Sequence, residues 1–126
     1  MGKRHAPSLM RQIRRELKEG TSPESIFPKV KAIEDPYYRS LSFYLLIPYF
    51  SPKDKKCKES ISLSNKDIEK VQQPWRRVEL IGSISKILKS VSDTRLQRQL
   101  FSSILEKIKI EKSKEIKDFL LKYTKH

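Results

Sequence analysis

Arg11, Arg14, Arg15 and Lys18 recur at i, i+3, i+4 and i+7, the spacing that gathers side chains on one face of a helix. Lys3, Arg4 and His5 lie just ahead, so a basic extension leads into a cationic helical stripe. Guanidinium groups in such a row can lie along a phosphate backbone, each offering a planar fork to its oxygens. The competing reading is a solvated face partly neutralised by Glu16 and Glu19. A second group is Pro74-Trp75-Arg76-Arg77. On a helical wheel Trp75 shares its side with Lys86 and Lys89, where an exposed indole could stack on an unpaired base. The stronger expectation is that Trp75 packs back on the preceding helix while Arg76 stays exposed. A third group is scattered over outer faces: Arg95, Arg98 and Lys109, with Lys53, Lys55, Lys56 and Lys58 in a charged run.

Other chemistries lack their parts. His5 and His126 sit at the two ends, and Cys57 is the single cysteine, so soft metal ligands cannot be grouped within the chain. Gly2, Gly20 and Gly82 are too scattered for a phosphate-cradling loop. The pair Glu34-Asp35 is better explained by Asp35 capping a helix that Pro36 begins. The expectation is a binding protein, not an enzyme, with no catalytic residues, metal or cofactor.

Composition supports that direction. The 126 residues carry 28 Lys+Arg against 15 Asp+Glu, a formal net charge of +13. The excess is spread along the chain and is absent only from the apolar stretch 21–50. Such a balance attracts phosphate-rich partners and speeds encounter with them, without specifying a sequence. No segment is apolar enough to span a membrane, and the basic start lacks the apolar run of a signal peptide. Cys57, flanked by lysines, reads as an exposed loop thiol in a reducing compartment. A cytoplasmic protein with no membrane partner is expected.

Helical periodicity dominates, and three glycines are few for a turn-rich β fold. The spacing predicts one all-α domain of six to seven helices over 1–126, with residues 1–7 as a basic extension. The first helix runs from Ser8 to Glu19, stopped by Gly20, with Leu9, Met10, Ile13 and Leu17 inward. Thr21-Ser22-Pro23-Glu24 opens a short second helix to Ile33, disturbed by Pro28. The third, Tyr37 to Phe50, is apolar almost all round and should be central, with Pro48 ending or kinking it. Its aromatic residues are expected in the core. Residues 51–64 read as a charged flexible loop, with a short helix restarting at Ser64. Pro74 begins a long helix with Leu80, Ile81, Ile84, Ile87, Leu88 and Val91 inward. Asp93-Thr94 caps another that buries Leu96, Leu100, Phe101, Ile104 and Ile108; the last starts at Ser113, with Ile116, Phe119, Leu120 and Tyr123 inward.

Val30-Lys31-Ala32-Ile33-Glu34-Asp35-Pro36-Tyr37-Tyr38-Arg39 lines up, 38 residues on, with Ile68-Glu69-Lys70-Val71-Gln72-Gln73-Pro74-Trp75-Arg76-Arg77. Each half has a short amphipathic helix, a polar pair, proline, an aromatic residue and an arginine before a long helix. This resembles the paired-helix repeats of the HEAT or TPR type, although the full TPR pattern is missing. The resemblance covers about half the chain, implies architecture alone and transfers no functional residue. A short stack of helix pairs and a compact bundle both fit.

The leading functional expectation is association with nucleic acid, RNA or a ribonucleoprotein ahead of duplex DNA, through phosphate contacts of low sequence specificity. Its residues are Lys3, Arg4, Arg11, Arg14, Arg15, Lys18, Arg76, Lys86, Lys89, Arg95 and Arg98. The alternative is a protein–protein adaptor, homodimer or small structural subunit that uses the apolar helix 36–50 or a groove between helices.

Overall fold

The computed structural model describes residues 6–109, 111 and 114–124. They form seven α-helices: α1 (Ala6–Lys18), α2 (Pro23–Lys31), α3 (Pro36–Leu46), α4 (Lys55–Lys70), α5 (Pro74–Leu88), α6 (Thr94–Lys109) and α7 (Lys114–Thr124). A single 3-10 turn, Ile47–Tyr49, follows α3, and no strand occurs among the described residues. The all-α expectation holds. The chain divides between Lys70 and Val71 into two compact units.

In the first unit each helix boundary has a local cause. Gly20, at φ 95°, closes α1 as a left-handed C-cap. Its N–H donates to the Leu17 carbonyl at 3.1 Å and the Thr21 N–H to Glu16 at 2.9 Å, the paired bonds of a Schellman motif. Ser22 caps α2 by accepting from the Glu24 N–H, and Pro23 occupies the first turn, where its missing donor costs nothing. Pro28 stands inside α2 without ending it. Asp35 accepts from the Tyr37 N–H at 2.8 Å and caps α3 ahead of Pro36. Pro48 removes the next ladder donor, so α3 gives way to the 3-10 turn at Ile47, earlier than Phe50.

Helix α3 is the centre of this unit, packed against α1, α2 and α4. Every residue from Ser40 to Ile47 is buried. Met10, Ile13 and Leu17 of α1 and Ile26, Phe27 and Val30 of α2 complete the core around it. Phe27 and Phe43 meet at a centroid distance of 5.6 Å. Tyr44, fully buried, donates its hydroxyl to Asn65 Oδ1 at 3.3 Å, and burial pushes its pKa upward.

The stretch 51–64 is not the flexible loop its polar composition predicts: Lys55–Lys70 is one continuous helix. Asp54 caps it, accepting from the Lys56 N–H at 2.8 Å. Its inward face carries Cys57, Ser60, Ser64, Asp67 and Ile68, small or polar groups that let α4 approach α3 closely. Ser40 Oγ lies 2.7 Å from Ser64 Oγ, and Ser64 Oγ donates to the Ser40 carbonyl at 3.1 Å. Cys57 is therefore fully buried and not an exposed loop thiol. Burial raises its pKa, and the Asp54 carboxylate raises it further.

Arg39 fixes the start of α3 to the end of α4. Its Nε and Nη2 donate to the two Asp67 carboxylate oxygens at 2.8 and 2.7 Å, and Nη1 donates to the Ile33 carbonyl at 2.8 Å. In the second unit Arg77 ties the start of α5 to Glu111, in the segment between α6 and α7. Its Nη2 donates to both Glu111 carboxylate oxygens, at 3.0 and 2.9 Å, and Nη1 donates to the Val71 carbonyl at 2.7 Å. The second unit packs α7 against α5 and α6. Its core takes Leu80, Ile81, Ile84 and Leu88 from α5, Leu96, Leu100, Ile104 and Ile108 from α6, and Ile116 from α7. Ile87 and Phe101, expected inward, are only half-buried. The side chains of Phe119, Leu120 and Tyr123 lie outside those described. Asp93 caps α6 through the Leu96 N–H at 2.8 Å, and Gln97 Nε2 donates to the Leu88 carbonyl at the end of α5.

Two predictions come from this packing. Asp67→Ala strands the Arg39 guanidinium and should lower stability by about 3 kcal/mol in urea denaturation; a loss under about 0.5 kcal/mol contradicts the clamp. At pH 8 a raised pKa keeps the buried Cys57 thiol protonated, so Ellman's reagent should label it no faster than the protein unfolds. Immediate stoichiometric labelling of native protein contradicts its burial.

Candidate nucleic-acid interface

Lys3, Arg4 and His5 lie outside the described residues. Arg11, Arg14, Arg15 and Lys18 are all exposed on α1 and fall within an arc of about 100°. Met10, Ile13 and Leu17 take the buried side. Arg11 Nη2 donates to Ser8 Oγ at 3.2 Å. Among the described residues, none of the four joins an ion pair. Glu16, expected to offset them, is half-buried and turned toward α2, 3.5 Å from Lys29 Nζ. Its pKa is held below the ordinary value by the hydrogen bond that Gln12 donates at 3.1 Å, with Lys29 adding to the effect. Glu16 is thus engaged with Gln12 and Lys29, whereas Glu19 stays exposed one turn on from Arg15 at the end of the stripe.

In the second unit, Arg95 and Arg98 are exposed on α6 and free of ion pairs among the described residues. Lys109 shares that face but pairs with Glu106 at 3.5 Å. Lys86 and Lys89 are exposed on adjacent turns at the end of α5. Arg76 differs from expectation: it is half-buried and engaged within the chain. Trp75 is 49 % exposed, with an interaction of its own within the chain. Its place in the first turn of α5 points it away from the arc of Leu80, Ile84 and Leu88, so the core of the helix cannot cover it. Trp75 and Lys86 lie eleven residues apart, about 16 Å along the axis, so they do not form one compact site.

The lysines of the supposed loop separate once α4 is helical. Lys56 Nζ stands 4.8 Å from the Phe27 ring centroid, a cation–π contact, whereas Lys53, Lys55 and Lys58 are exposed. The apolar helix 36–50 is spent on the core of the first unit, which leaves only Tyr49 of it as a large exposed apolar residue.

One grouping went unseen in the sequence. A cleft of about 250 Å³ opens beside the Arg39–Asp67 clamp. Lys31, Lys66 and Lys70 stand around it, and Phe43 and Leu63 form its apolar lining. The available signal was Lys66, Asp67 and Lys70, which share one helix end once residues 55–70 are read as helical. No helix among the described residues is long and apolar enough to cross a membrane. No family model matches the chain, and no curated protein or solved structure matches it.

Trp75 is the only tryptophan and reports its own surroundings. Its emission should be red-shifted relative to a buried indole and quenched by acrylamide with an intermediate slope. Blue-shifted, unquenched emission contradicts the exposed position.

Proposed function

We propose that the protein associates with nucleic acid, RNA ahead of duplex DNA, by laying outward-facing arginines and lysines along the phosphate backbone. The observation that supports this most directly is the α1 stripe: four exposed cations on one face, none of them in an ion pair among the described residues. Asp67 and Glu111 have side chains only 4 % and 8 % exposed and are balanced by internal arginines, so neither clamp changes the excess of cations outside. Neutralising phosphates releases condensed counterions, which gives affinity that falls steeply with salt and depends weakly on sequence. From Arg11 to Lys18 the row runs about 10 Å, enough for a few successive phosphates. Arg95, Arg98, Lys86 and Lys89 add cationic faces on the second unit. The preference for RNA rests on the basic N-terminal sequence, which has the look of a ribosomal protein.

The same reading treats the chain as a short series of HEAT-like helix pairs. Its support is the recurrence, 38 residues apart, of an arginine that grips a carboxylate and the carbonyl six residues before it.

The test is the combined variant R11Q/R14Q/R15Q/K18Q, titrated with single-stranded RNA and with duplex DNA between 50 and 200 mM salt. Without these cations fewer phosphates are neutralised, and the slope of log K against log salt should flatten by about 2–3. Affinity for RNA at the low-salt end should fall at least tenfold. Unchanged slope and affinity overturn the proposal.

A further inference from the structure

The cleft beside Arg39 and Asp67 is not explained by a backbone track, because it is concave and partly apolar. Its lining carries Lys31, Arg39, Lys66 and Lys70 against the single carboxylate of Asp67. Arg39 spends three of its five N–H bonds on Asp67 and Ile33 and keeps two. The lysines are held loosely. Lys70 Nζ stands 3.9 Å from Asp67 Oδ1, and Lys31 Nζ stands 3.9 Å from Glu59 Oε2, both at the outer limit of an ion pair. Their side chains are 61 % and 53 % exposed, and Lys66 has no ion pair among the described residues. Lys66 and Lys70 can therefore swing onto an incoming anion, and Lys31 can do so by leaving Glu59 and the Phe27 ring, whose centroid lies 5.7 Å from its Nζ.

The clamp itself does not need these lysines. At the second clamp, Glu69 stands 38 residues after Lys31; the acid falls 44 residues on, at Glu111, with Ile110 before it where Lys66 precedes Asp67. Only Lys114 keeps the place of Lys70. Yet Arg77 grips Glu111 as firmly as Arg39 grips Asp67. The second clamp therefore closes without counterparts of Lys31 and Lys66.

We propose that this cleft binds a phosphate monoester, either a free mononucleotide or the terminal phosphate of an RNA strand. A dianion suits the charge excess of the lining better than a single carboxylate or a backbone diester, each of which carries one charge. A volume of about 250 Å³ admits a phosphoryl group and part of an attached nucleoside, with Phe43 and Leu63 as apolar neighbours. It does not admit a strand running through. For the RNA end, the proposal rests on the nucleic-acid reading above; for the mononucleotide it does not.

The experiment titrates the full chain with inorganic phosphate, AMP, and an oligoadenylate eight-mer bearing either a 5′-phosphate or a 5′-hydroxyl. Wild type should bind AMP and should prefer the phosphorylated eight-mer about tenfold. K66A/K70A should lose both while keeping its melting temperature, and K31Q should weaken both. The α1 variant R11Q/R14Q/R15Q/K18Q should still bind AMP. If AMP binds but neither eight-mer does, the cleft stands as a mononucleotide site and the backbone track fails. If inorganic phosphate binds as tightly as AMP, the apolar lining contributes nothing and the monoester assignment is overturned. Equal binding of the two eight-mers without AMP binding also overturns it, and leaves the track intact.

Discussion

The Arg39–Asp67 pair is the interaction on which the first unit depends. It joins the first turn of α3 to the last turn of α4 and ties both to the carbonyl of Ile33, in the turn that connects α2 to α3. A carboxylate as buried as Asp67 is costly unless a charged partner and hydrogen bonds satisfy it. The planar guanidinium meets both needs at once, with two parallel bonds to the carboxylate and a third to the backbone. A lysine offers a point charge and no fork, so it cannot replace arginine here. The second unit repeats the device with Arg77 and Glu111, which indicates that the geometry belongs to the start of a proline-led helix and not to one particular acid.

The clamp can close because α3 and α4 come close together along serines. Ser40, Ser60 and Ser64 are fully buried, and their hydroxyls find partners within the two helices. Ser60 donates to the Lys56 carbonyl and Ser64 to the Ser40 carbonyl, so little polar desolvation is left uncompensated on this face. Ser42, about 200° around α3 from Ser40 and so off this face, has a buried hydroxyl with no hydrogen-bond partner. Larger side chains at Ser40 or Ser64 would hold the helices apart and pull Asp67 out of reach of Arg39.

This small-residue packing also explains which elements the sequence revealed. Helices α1, α3, α5 and α6 bury leucine, isoleucine and aromatic residues at helical spacing, and their caps are Gly20, Asp35 and Asp93, residues with plain local signatures. Helix α4 shows the same period at Cys57, Ile61, Ser64 and Ile68, but half of that face is small or polar, so the stretch reads as loop. The burial of Cys57 was hidden for the same reason. Trp75 misled differently. A tryptophan in a first turn normally finds a neighbour to cover it, and here the turn geometry leaves half of it in solvent. The α1 stripe was legible because it needs only one helix and its period. The lysine-lined cleft was not, because Lys31, Arg39 and Lys66 come from three helices whose packing no local pattern encodes.

The two arginine clamps leave the balance of surface charge as it was, because each draws an acid and an arginine inward together. Glu16 is held alike on a smaller scale, by Gln12 and Lys29. Lysines, by contrast, are nearly all kept outside, where their hydration is cheapest. Composition alone would spread the 15 acids evenly among the 28 cations. Folding instead places three of these acids, Asp67, Glu111 and Glu16, beside cations that hold them, while Glu19 at the end of α1 and Glu106 on α6 stay exposed, so the charge of each outer face is set by its own cations and its own acids.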